Sequence, residues 1–407
     1  MALLVGDSAR RAREAIDAVA EALRDPPPDW HVTATLADGD AGLAVFYGYL
    51  HAATPDRDYD TLAARYLERA IDALAAEPIP AMLHHGYVGI AWATEHLIGR
   101  VIDADGEDLN APIDDAVLAE LAAPASATDY DLTGGIVGIG VYALERGPRD
   151  IAHAMLERIV ARLDRLAERK PDGIAWPLPD EMFDADLRAQ YPDGAYNLGL
   201  AHGSPAVIAL LAACVARGVS PVVARELAEG AVAWLLAREL PEHRFADFVR
   251  TGDNGVPSRL GWCYGELSIA TALREAGRAM GRGDWLDHAR VLAHAAAARP
   301  RETTGVVDAC LCHGAAGLGA MFARAASVDH DPVLENAART WFEAALDLRK
   351  VDPVGGFAPQ VVDPGLAPGV ASVGIVTGAE GVALALQSAL DGSNPAWDRA
   401  LMLSVAR

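Results

Sequence analysis

The chain has 407 residues, 52% of them hydrophobic, with 34 Lys and Arg set against 57 Asp and Glu for a formal charge of −23. That charge excludes a nucleic-acid binder, whose partner's phosphates need a basic surface, and it excludes stable docking on anionic lipid. No uninterrupted apolar stretch approaches the roughly 20 residues of a membrane helix, and no charged-then-apolar leader opens the sequence. The expectation is a cytoplasmic protein with ample material for a core. Ala and Leu outweigh β-branched runs, so helix is the default. Cys214, Cys263, Cys310 and Cys312 read as thiols or ligands in a reducing compartment rather than as disulfides.

Taken in order, the chain alternates two kinds of helix. An amphipathic helix is expected over Ala9–Leu23, capped by Asp7 and Ser8. A Gly-x-x-Gly-like turn at Gly39–Gly42 then opens an apolar run. Further amphipathic segments cover Thr61–Ala76, Ile113–Ala122 (weakly), Ile151–Glu168, Pro221–Leu240, Trp285–Ala298 and Pro332–Lys350. Between them the turn recurs at Gly86–Gly89, Gly135–Gly138, Gly203–Ala206, Gly265–Ser268, Gly314–Gly317 and Gly378–Gly381. Ser220-Pro221 and Asp331-Pro332 read as an N-cap followed by an N1 proline. The runs after the glycine turns are apolar nearly all round, which predicts buried inner helices.

The terminal repeats are as apolar as the middle ones, whereas an open solenoid ends in polar caps. This predicts closure: an all-α, α/α toroid, a double barrel of seven inner and seven outer helices built from seven hairpin repeats, forming one domain over 1–407. The glycine turns all precede inner helices and so gather at one end. Long segments over Asp172–Tyr196, Phe245–Ser258 and Val351–Ala371 are expected to be non-helical or to hold only short strands, and to cover that end.

Aligning the repeats on their first glycine brings the chemistry into register. Cys263 and Cys312 both stand two residues before it, in adjacent repeats; His313 and His202 stand one residue before it, as do Tyr264 and His85. Neighbouring hairpins put equivalent positions side by side, so Cys263, Cys312 and His313 are expected to converge. Two thiolates and an imidazole are the three protein ligands of an open zinc site. Cys310 reads first as a non-ligand, since a fourth protein ligand would close the site, with a spare or replacement ligand as the alternative; Cys214 is a core residue. His84 and His85 are structural, and Trp262 is a core anchor rather than a substrate platform.

Trp262-Cys263-Tyr264-Gly265, Cys312-His313-Gly314 and Ala201-His202-Gly203 resemble the motifs of the lanthionine cyclases, the LanC-type family, in its stand-alone form. The resemblance spans the chain from the Gly39 turn to the Gly378 turn and implies the same toroid. It implies one Zn²⁺ per chain on Cys263, Cys312 and His313, with His202, Asp131, Arg259 and Tyr264 as catalytic residues. Asp131 stands in an Asp-x-x-x-Gly-x-x-Gly setting, and Arg259 lies four residues before Cys263. Two departures stand out: Pro205-Ala206 at the end of one turn, expected to shift the start of its helix, and the extra Cys310.

The implied reaction adds a peptide cysteine thiol to a dehydroalanine or dehydrobutyrine, giving a lanthionine or methyllanthionine thioether in antibiotic biosynthesis. The implied partners are a dehydrated precursor peptide (leader plus core), a dehydratase and an exporter, with membrane association through those partners. A non-catalytic zinc-dependent thiol or peptide binder is the alternative; binding alone needs no acid, base or enolate clamp. A zinc prenyl transferase ranks last, since the ligand slot holds no carboxylate and only 6% of residues are aromatic.

Overall fold

The computed structural model describes residues 2–27, 30, 32–76, 78–123, 130–179, 182–250, 252–350, 354–357, 373–392 and 395–405. Among these, fifteen α-helices follow in chain order: α1 (Gly6–Ala22), α2 (Asp40–Ala53), α3 (Tyr59–Ala76), α4 (Tyr87–Leu97), α5 (Ala111–Ala122), α6 (Ile136–Glu145), α7 (Asp150–Leu166), α8 (Ala185–Gln190), α9 (Ser204–Ala216), α10 (Pro221–Leu236), α11 (Glu266–Met280), α12 (Gly283–Ala298), α13 (Ala315–Asp329), α14 (Pro332–Asp347) and α15 (Ala379–Asp391). Four short strands form two antiparallel pairs, β1 (Glu168–Lys170) with β2 (Gly173–Ala175) and β3 (Tyr196–Asn197) with β4 (Phe248–Val249).

The first glycine of every repeat is the N-cap of an inner helix: Gly39, Gly86, Gly135, Gly203, Gly265, Gly314 and Gly378 precede α2, α4, α6, α9, α11, α13 and α15. These helices are buried almost all round, as α9 shows, with every residue from Ser204 to Cys214 buried. The alternate helices bury a stripe. In α1 it is Ala9, Ala12, Ala15, Ile16, Val19 and Ala20, the three- and four-residue spacing of one face. Full burial of an aliphatic side chain is worth about 1.5–3 kcal/mol, so the apolar runs fix which helices go inside.

The chain forms two compact units. The first comprises Met1–Pro80, His84–Ala111 and Gly305–Trp397; the second comprises Ala81–Leu83, Pro112–Thr304 and Asp398–Arg407. Within the first, α13 packs on α15, α15 on α2 and α2 on α4, while α14 lies on α13, α1 on α15 and α3 on α2. Within the second, α6 packs on α9 and α9 on α11, each with its own partner in α7, α10 and α12. In this second unit the buried Arg146 and Asp114 pair, and Tyr142 donates to Asp114 Oδ1 at 2.6 Å, tying α5 to α6.

Several local expectations need correction. Asp7 and Ser8 do not cap α1; the helix begins at Gly6 behind Val5, with no side-chain cap. Ser220 precedes α10 in a left-handed conformation and makes no capping bond, whereas Asp331 accepts from the backbone N–H groups of Val333 and Leu334. α7 ends at Leu166 and α10 at Leu236, before the expected Glu168 and Leu240. Pro205 does not shift α9, which starts directly after its glycine like its counterparts. A proline in the first turn gives up an N–H that has no helical partner there. The 172–196 segment is not purely irregular: it holds β2, α8 and β3, and α8 is capped by Asp184. Of the 351–371 segment only 354–357 belong to the described residues, with Val354 buried.

Candidate functional site

In the second unit the turn before α11 is held from several sides. Leu260 N–H donates to Thr304 O at 2.8 Å, Gly261 N–H to Tyr264 O at 3.0 Å, and the buried Trp262 indole N–H to Leu401 O at 2.7 Å. Trp262 is thus a core anchor. Gly265 has φ +96°, and a Cβ there would lie 2.5 Å from Arg259 O, so only glycine closes this turn. The fixed turn presents Cys263, which is 4% exposed, and Arg259 Nη2 donates to its Sγ at 3.5 Å.

The strand before α9 lies against this turn. A Cβ on Gly199 would meet Cys263 O at 2.3 Å and the Tyr264 ring at 2.6 Å. Asn197, on β3, donates from Nδ2 to Tyr264 Oη at 3.0 Å, and Phe248, on β4, sits 5.9 Å from the Tyr264 ring. Within this unit, then, the 172–196 and 245–258 segments pair and cover the turn. Burial raises the Tyr264 phenol well above its ordinary value.

Asp131 and His202 also belong to this unit. Asp131 Oδ2 lies 2.6 Å from His202 Nδ1, while Oδ1 accepts from Thr133 N–H at 2.5 Å, Thr133 Oγ1 at 2.7 Å and Gly134 N–H at 2.8 Å. A carboxylate only accepts, so Nδ1 carries the proton and Nε2 is left for chemistry. Burial opposes both charges. The mutual hydrogen bond and attraction outweigh it, so His202 titrates above its ordinary value and Asp131 below. The Cys263 sulfur adds a smaller push on His202. The imidazole keeps 33% of its side-chain surface exposed.

Cys312 and His313 lie in the first unit, in the turn before α13. Cys312 N–H donates to Val376 O at 2.9 Å. His313 Nε2 is 3.5 Å from Asp308 Oδ2, and Asp308 Oδ1 accepts from Cys310 N–H at 3.1 Å. Asp308, Cys310 and His313 each offer a ligand atom within 4.8 Å of the other two. Cys214 is fully buried, its thiol pushed up to about 12 by that burial, which suits a core residue. His84 is buried, and half-exposed His85 reaches Asp38 Oδ2 from Nδ1 at 2.8 Å.

Two residues escaped the sequence reading. Asp308 stands six positions before its glycine, the slot that holds Arg259 and Asn197 in other repeats; that register was the available signal. Asp247 accepts from Ser258 Oγ, and burial pushes its carboxyl up against the pull of Ser258 and Arg259. It lies in an insertion, outside any register.

No curated protein matches the sequence. Among solved structures the chain is similar to nisin cyclase, with a TM-score of 0.76 at 20% identity, covering 97% of each chain. That likeness shows the fold, the helical toroid expected from the repeats. No helix among the described residues is long and apolar enough to cross a membrane. The model of the family described as lanthionine synthetase C-like protein matches residues 31–402. The chain therefore belongs to the lanthionine synthetase C-like family.

Proposed function

We propose that the chain is a zinc-dependent lanthipeptide cyclase, closing thioether rings by adding the cysteine thiols of a dehydrated precursor peptide to its dehydroalanine and dehydrobutyrine residues. The observation that carries this reading is the Asp131-held imidazole of His202, in the same unit as the Arg259–Cys263 contact and in a chain of this family. A thiol binder needs no oriented base.

The ligands in this proposal are Cys263, Cys312 and His313, two thiolates and an imidazole for one zinc ion. The donor chemistry fits: the Arg259 guanidinium at Cys263 Sγ favours the thiolate form that a ligand must take. When bound, zinc makes a coordinated peptide thiol, ordinarily titrating at about 8.5, a thiolate at neutral pH.

The chain's own residues manage the proton. His202 Nε2 accepts the proton of the incoming thiol, and Asp131 holds Nδ1–H and stabilises the imidazolium. As the sulfur–carbon bond forms at the β-carbon, the double-bond electron pair moves to the adjacent carbonyl oxygen, where the permanent charge of Arg259 steadies it. The imidazolium then returns its proton to the α-carbon, so the thiol hydrogen ends there and no oxidant is needed. Tyr264, its ring fixed by Asn197 and Phe248, donates its hydroxyl hydrogen toward the reacting centre.

In this reading the two units make one domain, and the enzyme works in the cytoplasm beside the dehydratase that prepares its substrate and the exporter that removes the product. Elemental mass spectrometry of the purified protein tests the metal assignment. About one zinc per wild-type chain is expected, and none in His313→Ala. Full cyclisation by protein that holds no metal would sink the mechanism.

A further inference from the structure

The turn before α13 concentrates donors beyond those the cyclase reading uses. Asp308, Cys310, Cys312 and His313 fall within the run Asp-Ala-Cys-Leu-Cys-His. Ligand atoms of Asp308, Cys310 and His313 lie mutually within 4.8 Å, all inside the first unit. Asp308 and Cys310 are each 4% exposed. Asp308 Oδ1 is fixed by the Cys310 N–H, but its Oδ2 is a buried oxygen with no hydrogen-bond partner among the described residues. His313 Nε2 lies 3.5 Å from that oxygen, beyond an ordinary hydrogen bond. A buried carboxylate oxygen left in that state is costly, and a cation beside it removes the cost.

We propose that this turn is a metal-holding set of its own, in which Asp308, Cys310 and His313 keep a divalent ion when Cys263 takes no part. One oxygen, one sulfur and one nitrogen donor suit the borderline-soft ions, zinc and cobalt(II). His313 belongs to both sets, so they hold a single ion in competition. All three ligands of the local set come from six consecutive residues. One turn can therefore hold an ion without any residue of the second unit. The cyclase reading is needed only for the other set; the local set stands without it.

The test uses the full chain, loaded with zinc or cobalt(II) and titrated with a chromophoric chelator, in wild type, Cys263→Ala, Cys263→Ala with Cys310→Ala, and Cys263→Ala with Asp308→Asn. Circular dichroism checks that each variant is folded. The expected result is that Cys263→Ala still binds about one ion, more weakly than wild type, and that removing Cys310 weakens this residual binding at least about tenfold. Asp308→Asn in the same background acts in the same direction, and its isosteric amide guards against a failure to fold. In Cys263→Ala, cobalt(II) should give a thiolate charge-transfer band that shrinks when Cys310 is removed. A folded Cys263→Ala protein that binds no ion overturns the proposal, as does residual binding that ignores both Cys310 and Asp308. Thioether formation by the zinc-loaded wild type separately decides the cyclase reading.

Discussion

Two histidine–carboxylate pairs in this chain are built alike and differ in one respect. In each, a histidine one residue before a repeat's first glycine meets an aspartate supplied by the preceding repeat: His85 with Asp38, and His202 with Asp131. Asp38 stands one residue before its own glycine and keeps 33% of its side-chain surface, whereas Asp131 stands four before and keeps 9%. The deeper slot gives Asp131 the turn's backbone N–H groups as further partners. One pair is a solvated rim contact; the other is a buried, oriented dyad. The repeat sets where a histidine projects, and the depth of its carboxylate decides whether it becomes chemistry.

The comparison breaks most visibly at the imidazoles. His202→Asn should slow thioether formation about 10²–10⁴-fold while zinc stays bound. His85→Asn should leave the rate within about twofold, because exposed ion pairs contribute little, about 0–1 kcal/mol. Loss of metal in His202→Asn would remove its role as a base. At the carboxylates, Asp131→Asn should cost about 10²-fold and Asp38→Asn almost nothing; equal effects would erase the distinction.

The pH response sharpens it further. His202 is raised, so the pair's stabilisation is complete below the unfolded histidine value of about 6.5 and is lost as pH rises through the higher folded value. Asp131 is lowered, so the same stabilisation is complete above about 3.9 and is lost as pH falls through the lower folded value. In urea titrations of metal-free protein, the stability gap between wild type and Asp131→Asn should therefore be widest between about pH 4 and 6.5. A gap that grows steadily above neutrality contradicts the assignment. Among the site residues the smallest effect is Tyr264→Phe, which removes the acceptor of the Asn197 amide and should cost about 1 kcal/mol of stability, with a correspondingly modest change in rate.

The glycine turns were legible from their recurrence, and at Gly39, Gly203, Gly265 and Gly314 the backbone lies where a side chain cannot go; the inner helices followed from their unbroken apolar runs. Register alone paired Cys263 with Cys312 and put His202 beside a turn. It did not single out Asp308, one acid among 57 Asp and Glu, since nothing in composition distinguishes a buried carboxylate from a solvated one. Strands of two or three residues are too short to show alternation. Asp247 was hidden for a related reason: its position is set by the β3–β4 pairing, which no local pattern announces.

The most direct measurement is a cyclisation assay on a dehydrated, cysteine-containing peptide, counting thiols that resist alkylation by mass spectrometry. Wild-type protein should protect the cysteines as thioethers without a change in peptide mass, stop when stripped of metal, and resume when zinc is restored. Tight binding of the peptide with every thiol still alkylated, in zinc-loaded and folded protein, would contradict the account and leave a thiol binder on the same toroid.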